Sequence, residues 1–169
     1  MIRIVLTGSE CTGKTTLAEA LALHYRTGLV PEFVRGYAEQ RGGIIELSDH
    51  APIARGQIAL EDSYIARGGR LLIQDTDLLS TVVYCRHYFG MCEAWIEEAA
   101  VTRRPDLYLL CEPDIPWVAD GVRDRGHMRE EMQSLFRDAV RASGVPFVEI
   151  RGERDQRLQC ATQAIDRLI

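Results

Sequence analysis

The sequence predicts a three-layer α/β/α domain in which helices cover both faces of a five-stranded parallel sheet. Three observations carry this. Short apolar, β-branched runs alternate with longer segments of helical period along the whole chain, the pattern of repeated strand–helix units. The strand candidates are continuously apolar instead of alternating, as strands buried on both faces are. The first of them empties into Gly8-Ser9-Glu10-Cys11-Thr12-Gly13-Lys14-Thr15, the spacing G-x-x-x-x-G-K-[ST], which belongs between a parallel strand and the helix that follows it. With 169 residues and 46% hydrophobic content, the chain has enough apolar material for one domain over residues 1–169.

The chemistry of that first stretch needs those residues at that spacing. Gly8 and Gly13 let the backbone turn so that amide hydrogens from Ser9 through Thr16 face phosphate oxygens, and the helix beginning near Gly13 adds the positive end of its dipole. Lys14 supplies a compact cation for the β- and γ-phosphates of ATP, and the Thr15 hydroxyl can hold Mg²⁺. Lys14 is also the only lysine in the chain. Arginine serves everywhere else, and its broad planar fork does not replace a narrow ammonium inside a closed loop of amides.

The remaining elements follow in order. Residues 15–25 read as a helix, with Leu17 and Leu21 on its packed side and His24 at its end. Gly28-Leu29-Val30 is a second strand, closed by Pro31; Glu32 and Arg35, just beyond it, lie where ligands bind in open parallel sheets or else form a helix-surface ion pair. Ser48 or Asp49 caps a helix that carries Ile53, Leu60 and Tyr64 on one side and ends at Gly68-Gly69. Leu71-Leu72-Ile73 is a buried third strand running into Gln74-Asp75-Thr76-Asp77. Asp75, at the strand tip, is placed to organise Mg²⁺ or to take a proton from an attacking hydroxyl; Asp77 has the same options or caps the next helix.

Two helices follow, 77–87 and 91–102, parted near Gly90, and of their aromatic residues Tyr84, Tyr88, Phe89 and Trp95 one or two can wall a pocket for a flat ring. Residues 106–111 form the fourth strand. The connection after it, with a lid segment over about 115–128, holds Trp117, Asp120, Arg123 and Arg125 among prolines and glycines; a loop of this kind can bring its arginines onto transferring phosphates, or pair them with Asp120 and Asp124 at the surface. Residues 127–143 form an amphipathic helix, 146–150 the fifth strand, and a last helix runs to Ile169. The turn before it places Arg154 and Arg157 where an adenine ring can lie.

Composition excludes several classes. The net charge of -5 argues against binding a nucleic-acid backbone, which needs a concentrated basic face. Neither a secretory leader nor a membrane span is legible, so the expected location is cytoplasmic. The five cysteines form no C-x-x-C pair and read as reduced thiols, Cys11 among them as a small filler of the loop.

Four blocks, Gly8 to Thr16, Pro31 to Arg35, Gln74 to Asp77 and Asp114 to Arg123, make the chain resemble the P-loop kinases of small molecules, specifically the ribosylnicotinamide kinase domain of the NadR-type proteins. The first block is shared by many NTPases, and the last is much more particular to this group. The resemblance implies a P-loop NTPase fold, ATP with Mg²⁺, and γ-phosphoryl transfer to the ribose 5′-hydroxyl of nicotinamide riboside, a small nucleoside partner, to give nicotinamide mononucleotide. By position it makes Gly8, Gly13, Lys14 and Thr15 the holders of ATP and Mg²⁺, Asp75 the base or metal organiser, and Arg123 with Arg125 the lid cations. Glu32, Arg35, Asp77, Trp117 and Asp120 are its candidates for the substrate pocket. Bifunctional members carry an adenylyltransferase domain ahead of the kinase, whereas this sequence opens on the kinase strand, so the mononucleotide and not the dinucleotide is the expected product. The competing classes are a kinase of another nucleoside or nucleotide and a regulatory ATPase; an ordinary GTPase is excluded, because its Asn-Lys-x-Asp motif needs a second lysine.

Overall fold

A computed structural model describes residues 1–116 and 128–169. The five strands, β1 (Ile2–Thr7), β2 (Gly28–Val30), β3 (Leu71–Asp75), β4 (Leu107–Cys111) and β5 (Phe147–Ile150), form one sheet in the order β2-β3-β1-β4-β5, with every neighbouring pair parallel. β1 lies at the centre, with Ile4 opposite Ile73 on one side and Leu107 on the other. All of β3 and β4 is buried, which is why Leu71 to Ile73 and Leu107 to Cys111 run without polar alternation.

Helices close both faces. On one side α1 (Lys14–Tyr25) and α7 (Arg154–Ile165) bury Leu17, Leu21, Ala161 and Ile165 against Ile4, Leu6, Ile73 and Leu109. On the other, α3 (His50–Ala66), α4 (Leu78–Phe89), α5 (Ala94–Thr102) and α6 (Arg129–Ser143) pack through Ala54, Leu78, Val82 and Ile96, and through Val83, Leu110, Met132 and Phe136. The short α2 (Phe33–Gln40) rests on α3 and follows β2 directly. Several element ends differ from the sequence reading. α5 begins at Ala94, after an extended Glu93; β4 begins at Leu107, because Asp106 binds β1 through the Arg3 backbone; and α7 stops at Ile165.

The buried residues of α3 are His50, Ile53, Ala54, Gln57 and Glu61, and of the expected apolar side Ile53 is buried with Leu60 and Tyr64 half-buried. A glycine sets its spacing from α2: a Cβ on Gly56 would lie 2.1 Å from Cζ of Phe33. Gly56→Ala therefore has to displace that ring and with it the start of α2. Although alanine gains about 1 kcal/mol of helix propensity, overpacking on the order of 1–3 kcal/mol is expected to lower the melting temperature. An unchanged melting temperature would contradict this packing.

Among the described residues, no helix is long and apolar enough to cross a membrane.

Candidate active site

The phosphate loop spans the gap between β1 and α1, held open by two glycines. Gly8 has φ 130°, and a Cβ there would lie 2.6 Å from the Cys111 carbonyl oxygen, so no larger residue fits. Gly13, at φ 75°, is the N-cap of α1. Inside the loop the Lys14 ammonium, only 6% exposed, donates to the carbonyls of Ser9 at 2.6 Å and Gly8 at 3.1 Å, and lies 3.5 Å from the Thr12 hydroxyl. The Thr12 hydroxyl itself donates to the Ser9 carbonyl at 3.0 Å.

The loop is also held from outside. The Ser9 amide, expected to face phosphate, donates instead to Oε1 of Gln133 on α6 at 2.9 Å, and Gln133 Nε2 donates to the Cys111 carbonyl at 3.2 Å. Arg157 is buried beneath the loop, donating to the carbonyls of Thr12 (2.8 Å), Glu112 (2.9 Å) and Gly152 (2.7 Å), and pairing with Asp114. It therefore acts as a strut that shapes the loop, and its donors are already engaged. Arg154 stands exposed on the first turn of α7.

Two carboxylates at the tip of β3 have different surroundings. Asp75 Oδ2 accepts from the Thr15 hydroxyl at 2.6 Å, which joins strand to loop, while its Oδ1 is buried with no hydrogen-bond partner. Burial pushes the Asp75 carboxyl above its ordinary range; the Thr15 hydrogen bond opposes this, and the Glu32 charge adds to it. Asp77 caps α4 by accepting from the Leu79 amide at 3.0 Å, the alternative its position allowed, and also accepts from the buried Tyr108 hydroxyl at 2.6 Å. Between them Thr76 is held at φ 69°, a strained conformation for a β-branched residue, because the chain turns from strand to cap in a single step.

Burial raises Asp77 to about 6, with the Glu61 charge adding and the Tyr108 hydrogen bond opposing. A folded-state value above the unfolded one means that Asp77 stabilises fully below about pH 4, and that this contribution is lost as pH rises through about 6. Asparagine mimics the neutral acid and caps equally well. The stability of Asp77→Asn relative to wild type should thus improve by on the order of 2 kcal/mol between pH 4 and pH 7, measured by denaturant unfolding; a difference independent of pH would contradict this.

Beside these carboxylates opens a cavity of about 830 Å³, lined by residues that include Glu32, Arg35, Asp77, Tyr84, Tyr88 and Phe89 together with Glu10, Thr76 and Ser80. Glu32 and Arg35 form an ion pair at 3.5 Å, the helix-surface alternative of the sequence reading, and both line the cavity. The Tyr84 and Tyr88 rings are parallel to within 7°, with centroids 6.0 Å apart. Trp95 lies elsewhere, packed with Ala54, Leu78 and Ile96. Trp117, Asp120, Arg123 and Arg125 lie outside the described residues.

Sequence reasoning missed the polar chain behind the cavity. Gln57 lines the cavity and accepts from the Phe33 amide at 3.1 Å; it also donates to Glu61 at 3.5 Å, and Glu61 in turn accepts from Arg103 at 3.1 Å. Its one signal was the i, i+4 spacing of Gln57 and Glu61 beside Ile53 and Ala54.

The family AAA_28, described as an AAA domain, matches residues 3–157. The trifunctional NAD biosynthesis/regulator protein NadR of Escherichia coli (strain K12) is 30% identical over 156 residues, covering 89% of this chain and 38% of that protein. The chain thus spans well under half the length of this curated relative. Crystal structures of a NadR protein, one in complex with NR and one with NAD and AMP-PNP, superpose with TM-scores of 0.84 and 0.83 at 23% and 22% identity, each covering 98% of this chain and 49% of theirs. Thymidylate kinase from Ehrlichia chaffeensis superposes with a TM-score of 0.69 at 17% identity, covering 99% of this chain and 98% of its own. These likenesses bear out the three-layer α/β/α fold of the P-loop kinases.

Proposed function

The chain belongs to the AAA_28 family, and from that premise we propose that residues 1–169 form a single ATP-dependent kinase domain. The acceptor is the ribose 5′-hydroxyl of nicotinamide riboside, and the product is nicotinamide mononucleotide. One observation carries the reading: the 2.6 Å bond from Thr15 to Asp75 joins the phosphate loop to a strand tip whose next two residues, Thr76 and Asp77, wall a cavity large enough for a nucleoside. A triphosphate tail and an acceptor hydroxyl can therefore meet at Asp75. The NadR structures with NR and with AMP-PNP support the same pair of ligands for this chain.

The residues present suit magnesium. Among the described residues no three His, Cys, Asp or Glu side chains cluster, but a phosphate-loop site needs only a hydroxyl and a carboxylate besides the phosphates, and the unpartnered buried Oδ1 of Asp75 is such a carboxylate oxygen. Thr15 and Asp75 would hold the ion. When bound, Mg²⁺ supplies neutralisation of the charge that spreads over the transferring phosphoryl.

The chain's own residues do the rest. Lys14 and the loop amides orient the β- and γ-phosphates. Asp75, at the junction of loop and cavity, takes the proton of the 5′-hydroxyl as the new O–P bond forms and the β–γ bridge breaks, releasing ADP. Tyr84 and Tyr88 offer π-faces to the cationic pyridinium ring, and Glu32 a nearby negative charge. Arg35 balances Glu32 and orients it.

ADP release in the presence of Mg-ATP and a panel of nucleosides and nucleotides tests this. Saturable turnover on nicotinamide riboside is expected. Turnover on another acceptor with none on nicotinamide riboside would overturn the substrate, and ATP hydrolysis indifferent to every acceptor would overturn the kinase.

A further inference from the structure

Arg129 opens α6 as a buried cation that meets no counter-charge among the described residues. Only 8% of the residue is exposed, and among the described residues it enters no ion pair. Arg103, Arg137 and Arg157 show the ordinary arrangement, each enclosed side chain meeting at least one carboxylate: Glu61 and Asp62, Glu112 and Glu149, and Asp114. Among the described residues Arg129 has only main-chain oxygens. Its Nη2 donates to the carbonyl of Ile115 at 2.9 Å and to that of Cys11 at 3.3 Å, and its Nε is buried with no acceptor among the described residues.

A guanidinium out of water is costly unless an anion and acceptors offset the loss. This one stands against the phosphate loop, touching its midpoint at Cys11. One turn further along α6, Gln133 bonds the Ser9 amide and the Cys111 carbonyl, so the helix is fixed to the loop at two levels and Arg129 does not drift from it.

We infer that Arg129 is a phosphate-contacting residue. The terminal phosphates of ATP held in the loop supply its missing charge and accept from its unpartnered Nε–H, a pairing that the planar fork of arginine suits. This rests on the reading of the loop as an ATP site and adds to it a residue from the far side of the chain.

The test combines nucleotide titration, followed by calorimetry, with melting temperatures measured without nucleotide, for wild type, Arg129→Met and Arg129→Lys. Arg129→Met should weaken Mg-ATP binding about 10- to 100-fold, the scale of a lost charge-assisted phosphate contact. Its melting temperature without nucleotide should hold or rise, because the unbalanced charge is gone. Arg129→Lys, which keeps the charge and loses the fork, should fall between the two. A purely structural arginine gives the opposite pair of results, a clear drop in melting temperature with ATP affinity within twofold of wild type, and that overturns the inference. Inorganic phosphate binding to wild type as tightly as ATP, and lost in Arg129→Met, would also overturn it in favour of a free-anion site. Wild type that binds no ATP overturns the reading of the loop itself, an outcome distinct from wild type and Arg129→Met binding ATP equally.

Discussion

Replacing Lys14 by Ala should cost about 10³-fold or more in kcat/KM with Mg-ATP, since removing a single preorganised charge at a transferring phosphoryl costs on that order. The side chain is enclosed by its own loop, with carbonyl oxygens at 2.6 and 3.1 Å and the Thr12 hydroxyl at 3.5 Å. That space admits a tetrahedral ammonium. The same geometry makes Lys14→Arg nearly as damaging, because a planar guanidinium cannot fit among those oxygens without opening the loop. The fold should survive Lys14→Ala, because the Ser9 carbonyl still accepts from the Thr12 hydroxyl and the Ser9 amide still binds Gln133. An intact melting temperature together with the kinetic loss separates a functional from a structural role. A variant retaining ATP affinity and turnover would remove the phosphate loop from the account.

Asp75→Asn should lower kcat by about 10²-fold or more, the scale of a lost general base. The asparagine amide oxygen can still accept from Thr15, so the junction of loop and strand stays closed while the negative charge and the base are both gone. Burial raises the Asp75 carboxyl, so the acid limb of the wild-type kcat/KM profile should lie above the ordinary carboxylate range, and it should be absent from whatever activity the variant keeps. The stability effect has the reverse sign. A carboxyl raised in the folded state loses its stabilising contribution as pH rises through its folded value, so at neutral pH Asp75→Asn should be no less stable than wild type. A slow enzyme at least as stable as its parent is the expected combination, and near-normal turnover would assign the proton transfer elsewhere.

What could be read without coordinates was local. Gly8 to Thr16 announces itself because strand, glycines, lysine and hydroxyl are consecutive, and Asp75 is legible because it ends an apolar run. The Glu32–Arg35 pair lies within one helical turn, so its ion pair could be named from the sequence, whereas the cavity that both residues line depends on how distant elements pack. Gln133, Arg129 and Arg157 were not legible in these roles. They reach Ser9, Cys11 and Thr12 across 124, 118 and 145 residues, separations over which pattern and period carry no information. Asp77 is an intermediate case, its capping of α4 being local and its bond to Tyr108 depending on two elements packing together. The apolar side of α3 with Ile53, Leu60 and Tyr64 could be read from its period, whereas the buried polar chain from Gln57 through Glu61 to Arg103 beside it could not.

The most direct measurement is proton-coupled phosphorus NMR of a reaction containing the 169-residue chain, Mg-ATP and nicotinamide riboside. Transfer to the 5′-hydroxyl predicts a new phosphomonoester resonance, split by the two protons on the 5′ carbon, growing in step with ADP. Growth of inorganic phosphate alone, with the nucleoside intact, would contradict the claim that Asp75 and the phosphate loop deliver a phosphoryl group to an acceptor in the adjoining cavity.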